Sequence, residues 1–246
     1  MAARDDGRRA PWWKRALAAF GPARRVETLV QNIAFTDDAA ELLRRAGELG
    51  RGSVEWRHLL LAAAESIELA SFWSSSGLAP AKLADAAGRA PDGALLRAQL
   101  TARLQVYGSG RTEARAGDLL LAIGRVDKDA GARLDKAGLT RLRLSTFLAH
   151  GVVEHPPLAP PRGEELDVLI HNDDYTTQEF VVELLESVFA LPRNDAIARM
   201  REVHEAGAGV VASLPRSDAI ERATKAAALA KNAGFPLLVT VENLTA

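Results

Sequence analysis

Leu166 to Phe180 reads LDVLIHNDDYTTQEF, and the polar string in its middle, His171-Asn172-Asp173-Asp174-Tyr175-Thr176, decides how the rest of the chain is read. The alternation of Leu166, Asp167, Val168, Leu169 and Ile170 predicts a strand. An apolar-periodic stretch opens near Gln178 and predicts a helix. The loop between them is rich in acceptors: Asn and two Asp present several oxygens and few donors. Such a loop suits a cation. It also suits a turn and a helix cap, since Thr176-Thr177-Gln178-Glu179 fits the S/T-x-x-E capping box and Asn and Asp are common in turns.

A second element gives the loop a partner. Asn194 to Ala206 predicts a helix, capped by Asn194 or Asp195, with Ile197, Met200, Val203 and His204 on one face. A histidine on an apolar face is usually a packed core residue. Here it can also complete an amine site. An ammonium carries three donors, to be met by Asn172, a water on Asp174 and a neutral ring nitrogen of His204. Met200, Val203 and Leu237-Leu238-Val239 would wall a hollow for the attached side chain.

HNDDYTTQEFVVELL, then M-x-x-V-H-x-x-G, then FPLLVTVE, resembles the ClpS adaptor family over about Leu166 to Leu244. Such proteins recognise N-terminal degradation signals and hand substrates to Clp unfoldases. Position by position, the resemblance makes Asn172 and His204 contacts of a substrate α-amino group, with Asp173, Asp174 and Thr176 in the acidic loop. It makes Val181, Met200, Val203 and Leu237 walls of the side-chain pocket, with Thr176 and Gln178 at its rim. Where the family carries a gatekeeping methionine this chain has Gln178, and the preceding proline is Thr177. The resemblance thus implies a retained amine site and an altered side-chain preference. Lys225 matches a position on the helix that faces the unfoldase.

Composition sets the outer limits. The chain has 246 residues, 48% of them apolar, a net charge of −1 and no cysteine. That is enough for one or two cores. Near-neutral charge gives no global field for nucleic acid. Without cysteine there are no disulfides and no thiolate chemistry, which fits a reducing, cytoplasmic setting. No apolar run reaches the length of a membrane span, and the N-terminus lacks the continuous apolar stretch of a signal peptide. Residues 1–25 are basic and carry Trp12 and Trp13; a loosely packed tail is expected there, with a short helix docking on a membrane surface or a partner as the alternative.

From Val26 to His150 the pattern is helical throughout. Ser53 to Ala62, with its HLLLA core, is echoed by Ala116 to Ile123, with DLLLA. Each leads to a Gly-Leu turn, at Gly77-Leu78 and Gly138-Leu139, and then to another helix, which suggests a duplicated bundle. VYGSGR at Val106–Arg111, the DLLLAI run and FLAHG at Phe147–Gly151 resemble the double-repeat N-terminal domain of ClpA-type unfoldases. That domain docks adaptors and substrates. The G-x-x-x-x-G-K-[ST] phosphate loop of the motor is absent.

Residues 152–165, VVEHPPLAPPRGEE, hold four prolines and predict an extended connection spanning roughly 20 Å or more. The expected order is therefore a tail (1–25), a helical domain (26–151), a linker (152–165) and a two-layer, three-stranded α/β domain (166–246). Within the last, strands are expected at 166–171, 209–214 and 236–242, and helices at 177–190, 194–206 and 216–232. Both halves of an adaptor–unfoldase contact would lie on one chain, so they could dock on each other. Asp173, Asp174 and His204 could also serve as a general base or hold a metal. No nucleophilic Ser or Cys and no HxE or HExxH spacing accompanies them. The expectation is a non-enzymatic, cofactor-free binding protein, with substrate N-termini and a Clp unfoldase as partners.

Overall fold

The computed structural model describes Val30 and residues 32–244. The expected basic tail, with Trp12 and Trp13, lies outside the described residues. The first element described in the helical part is a two-residue strand, β1 (Ala34–Phe35), followed by α1 (Asp37–Gly50), α2 (Trp56–Ala63), α3 (Ala70–Ser76), α4 (Pro80–Ala87) and α5 (Ala94–Ser109). Then come β2 (Glu113–Ala114), α6 (Ala116–Val126), α7 (Lys128–Lys136) and α8 (Arg141–His150). β1 and β2 pair in parallel, joining the segment before α1 to the segment before α6.

Helices α2 and α6, which carry the echoed leucine runs, start alike. His58 Nδ1 accepts from the Glu55 amide at 3.1 Å, and Asp118 Oδ2 accepts from the Arg115 amide at 2.9 Å. Each third-position side chain thus closes the first turn from outside. Trp56 is 1% exposed and donates its indole N–H to Asp127 at 2.9 Å. Asp127 also caps α7, accepting from the amides of Asp129 and Ala130. One carboxylate therefore ties the first leucine helix to the start of α7. Helices α6 and α7 touch through glycines: a Cβ on Gly131 would sit 2.8 Å from the Gly124 Cα, so no larger residue fits without a shift.

Residues 151–164 form neither helix nor strand, yet they are anchored. Val153 packs on the helical core and Leu158 on the α/β core. The carbonyls of Pro161, Arg162 and Glu164 accept from Arg216 Nη1, Asn243 Nδ2 and the Arg216 amide.

The α/β part follows as β3 (Glu165–His171), α9 (Gln178–Phe189), α10 (Arg193–Ala206), β4 (Ala208–Pro215), α11 (Arg216–Ala233) and β5 (Leu238–Glu242). Its sheet has three antiparallel strands in the order β4-β3-β5. Leu166, Val168 and Ile170 alternate into one core with Leu184, Leu185, Val188 and the alanine stripe of α11, Ala219, Ala223, Ala226 and Ala230. The small side chains let α11 lie close against the strands.

Several boundaries differ from the sequence reading by a residue or two, and three of the differences have a visible cause. The cap of α9 is Thr177, accepting from the Phe180 amide, because the Thr176 hydroxyl is taken by Asp173. Helix α10 starts behind Pro192, without a side-chain cap from Asn194 or Asp195. The last strand begins at Leu238, two residues late, because the Phe235 amide still closes the end of α11 on the Ala230 carbonyl and Pro236 has no amide to give the ladder. Among the described residues no helix is long and apolar enough to cross a membrane.

Candidate functional site

β3 ends where the acidic loop begins, and the loop is held at once by α10. The Asn172 amide donates to the Gly207 carbonyl at 2.8 Å. Gly207 ends α10 with φ at 83°, a left-handed turn that suits glycine and aims this carbonyl back at the loop. One turn earlier, His204 points at the same place: its Nδ1 lies 3.2 Å from Asn172 Oδ1. A carboxamide oxygen only accepts, so Nδ1 carries the proton and donates. Nε2 of the neutral ring is then left as an acceptor. The two residues expected to meet an amine are in contact, with His204 exposed.

The other loop residues divide in a way the sequence did not reveal. Asp173 spends its carboxylate on its own loop: Oδ1 accepts from the Tyr175 and Thr176 amides at 2.7 and 2.6 Å, and Oδ2 from the Thr176 hydroxyl at 2.7 Å. Asp173 and Thr176 thus brace the loop. Asp174 turns to the helical part, with Oδ2 3.0 Å from Arg111 Nε and its carbonyl accepting from Gln105 Nε2 at 3.0 Å. Burial raises the Asp174 pKa, against the pull of Arg111.

Tyr175 is 2% exposed and buries its ring under Arg111, with the guanidinium carbon 5.5 Å from the ring centre. Its hydroxyl donates to Asp118 at 3.1 Å. Asp118 also takes both Arg111 terminal nitrogens at 3.0 Å. Burial works against the Arg111 charge, but hydrogen bonds and charge from Asp118 more than offset it, so the Arg111 pKa rises. Burial and then the Asp118 charge push the Tyr175 phenol well up, keeping it a donor. Tyr175, Arg111, Asp118 and Gln105 were not among the expected site residues. An aromatic in a polar loop, on no strand or helix face, was the one available signal that something else covers it.

Val181, Met200, Val203 and Leu237 belong to one buried cluster, at 8%, 8%, 3% and 2% exposure. Gln178 is exposed on the first turn of α9. Lys225 is exposed on α11 and, among the described residues, takes no part in the contacts between the two parts.

Three histidines gather near the same junction. His150 Nε2 lies 2.8 Å from the Pro236 carbonyl, next to Leu237, and its ring centre is 5.0 Å from that of His155. His171 Nε2 lies 2.9 Å from the Thr240 hydroxyl. His155 Nε2 is buried without a hydrogen-bond partner. Burial, followed by the neighbouring His150, lowers the His155 pKa, with Asp173 pulling the other way; burial also lowers that of His171, opposed by Glu242. The folded protein therefore binds these protons less readily than the unfolded chain. Stability is full above the ordinary imidazole value of 6.5 and falls as pH drops below it. The urea midpoint is expected to be lower at pH 6 than at pH 7.5, and His155→Leu should flatten that difference. Among the described residues no group of three or more His, Asp or Glu is assembled to hold a metal.

The profile of the ATP-dependent Clp protease adaptor protein ClpS family matches residues 162–240 and does not extend into the helical part. An ATP-dependent Clp protease adapter protein ClpS from Desulforapulum autotrophicum is 41% identical over 75 residues, covering 30% of this chain and 72% of that protein. The Neisseria gonorrhoeae protein of the same name is 35% identical over 106 residues, covering 43% of this chain and 96% of its own length. Among solved structures, Agrobacterium tumefaciens ClpS2 bound to L-phenylalaninamide is 38% identical and covers 33% of this chain and 98% of that one, with a TM-score of 0.32. Through its C-terminal part, this chain belongs to the ClpS family, whose members are adaptors rather than enzymes.

Proposed function

We propose that the α/β domain, 166–246, captures the free N-terminal residue of a substrate polypeptide and presents it to a Clp unfoldase. The α-ammonium is held by Asn172 Oδ1 and His204 Nε2. A bulky apolar first side chain enters among Val181, Met200, Val203 and Leu237, past Gln178 at the rim. The observation that carries this reading is the meeting of Asn172 and His204 at 3.2 Å, on two elements that the sequence separates by 32 residues. Burying a large apolar side chain contributes about 1.5–3 kcal/mol. Each hydrogen bond to the charged amine contributes about the same. After ordering costs, affinities near micromolar follow.

Acetylating the ligand removes the cation and two of its donors. Fluorescence anisotropy with peptides beginning with Leu, Phe, Tyr or Trp should show acetylated forms binding about two orders of magnitude more weakly than free ones. Equal binding of both forms would refute amine capture. Exchanging a pliant methionine for Gln178 places an amide at the rim and shifts the preference among first residues.

The helical domain, 26–151, supports a second reading. It resembles the N-terminal domain of ClpA-type unfoldases and touches the acidic loop through Arg111, Asp118 and Gln105. In that reading the chain regulates a Clp unfoldase through this domain, with the adaptor part held in cis.

A further inference from the structure

We propose that Arg111 controls the amine site from the other half of the chain: by pairing with Asp174 it withholds a carboxylate from an incoming ammonium, so that the helical half is an internal brake on N-terminal capture. This rests on the amine-capture reading above. The acceptors around the mouth decide the matter. Asp173 has both oxygens committed to the loop. Asp174 is the remaining carboxylate of the loop, and its Oδ2 faces a guanidinium at 3.0 Å. With the halves joined, the mouth offers Asn172 and His204, and a fixed positive charge stands behind the one acidic-loop carboxylate that the loop itself does not use.

The pairing is built to last. The Arg111 side chain is 13% exposed and is held by both oxygens of Asp118, whose side chain is fully buried. Gln105 grips the Asp174 carbonyl and Tyr175 seals the contact with its hydroxyl on Asp118. His150 adds a separate contact to Pro236, beside the pocket residue Leu237. Arg111 touches no ligand in this scheme; it is a positioning residue that acts through Asp174.

The test measures the affinity of a fluorescent Phe-initiated peptide, free and acetylated, for the full chain and its variants. Arg111→Ala is expected to bind the free peptide roughly threefold to tenfold more tightly, the effect of removing a unit charge several ångströms away in partly solvated protein. Arg111→Lys, which keeps the charge without the fork, should fall between. In an Asp174→Asn background the Arg111→Ala gain should vanish, because the withheld carboxylate is gone. If Arg111→Ala fails to fold, Gln105→Ala and Tyr175→Phe loosen the loop without uncovering a buried charge, and both should tighten binding. By reciprocity, saturating peptide should speed amide hydrogen exchange across residues 105–118 of the wild type. Wild-type binding that none of these variants strengthens, or slower exchange with peptide, would overturn the brake and leave amine capture standing. No binding by the wild type or any variant would overturn both.

Discussion

Asn172→Ala is expected to weaken binding of a free Phe-initiated peptide by about 1.5–3 kcal/mol, or roughly tenfold to a hundredfold. The backbone should not move, because the Asn172 amide still donates to the Gly207 carbonyl whatever side chain it carries. Two things are lost. One is the acceptor for the ammonium. The other is the partner that fixes the His204 tautomer, since Nδ1 donates to Asn172 Oδ1 and so leaves Nε2 free to accept. A desolvated cation short of a partner costs more than the bond it misses. The control is the acetylated peptide, which has no cation to strand. Titrating both peptides against both proteins makes a double-mutant cycle. If Asn172→Ala weakens the two peptides equally, the residue only supports the loop. His204→Ala should show the same selectivity for the free peptide at similar size.

The local pieces of this site could be read from the chain, and the reason is physical. β3 shows itself by alternation, and the ends of α10 and α11 by Gly207 and Gly234, because those signals act within a few residues. The S/T-x-x-E pattern points one residue early because it fits Thr176 with Glu179, whereas the actual cap, Thr177, stands three before Phe180. What separates them is the Asp173 carboxylate, which takes the Thr176 hydroxyl. Nothing in the Asn172 block or the His204 block alone requires the other, and only the family resemblance pairs them. The partner of Tyr175 leaves no mark in the sequence. Asp118 lies 57 residues upstream, in the other half, and serves there as the third residue of a helix. In sequence it looks like an ordinary capping carboxylate, and its second and third duties exist only once the halves meet.

Those added duties make Asp118→Ala the substitution with the largest expected cost to stability, about 3–5 kcal/mol. Asp118 is fully buried at its side chain and accepts from four donors: two nitrogens of Arg111, the Arg115 amide and the Tyr175 hydroxyl. Alanine leaves a mostly buried guanidinium with Asp174 alone in place of two carboxylates, and that undercompensated charge is the main part of the penalty. Tyr175→Phe removes one of the four and leaves the ion pair whole, so it should cost only about 1 kcal/mol. Urea unfolding followed by tryptophan fluorescence separates the two, because the described tryptophans, Trp56 and Trp73, sit in the helical part and report on it directly. The shape of the transition carries a second result. If Asp118 and Arg111 couple the halves, wild type should unfold in one step by fluorescence and circular dichroism, while Asp118→Ala separates an earlier loss of the helical part from a later loss of the sheet. Replacing both partners together, Arg111→Met with Asp118→Leu, should recover much of the lost stability, since no buried charge is left unpaired. It should still leave Asp174 without its guanidinium. A double variant that is stable yet binds peptide no more tightly than wild type would show that the ion pair holds the fold and leaves the mouth untouched.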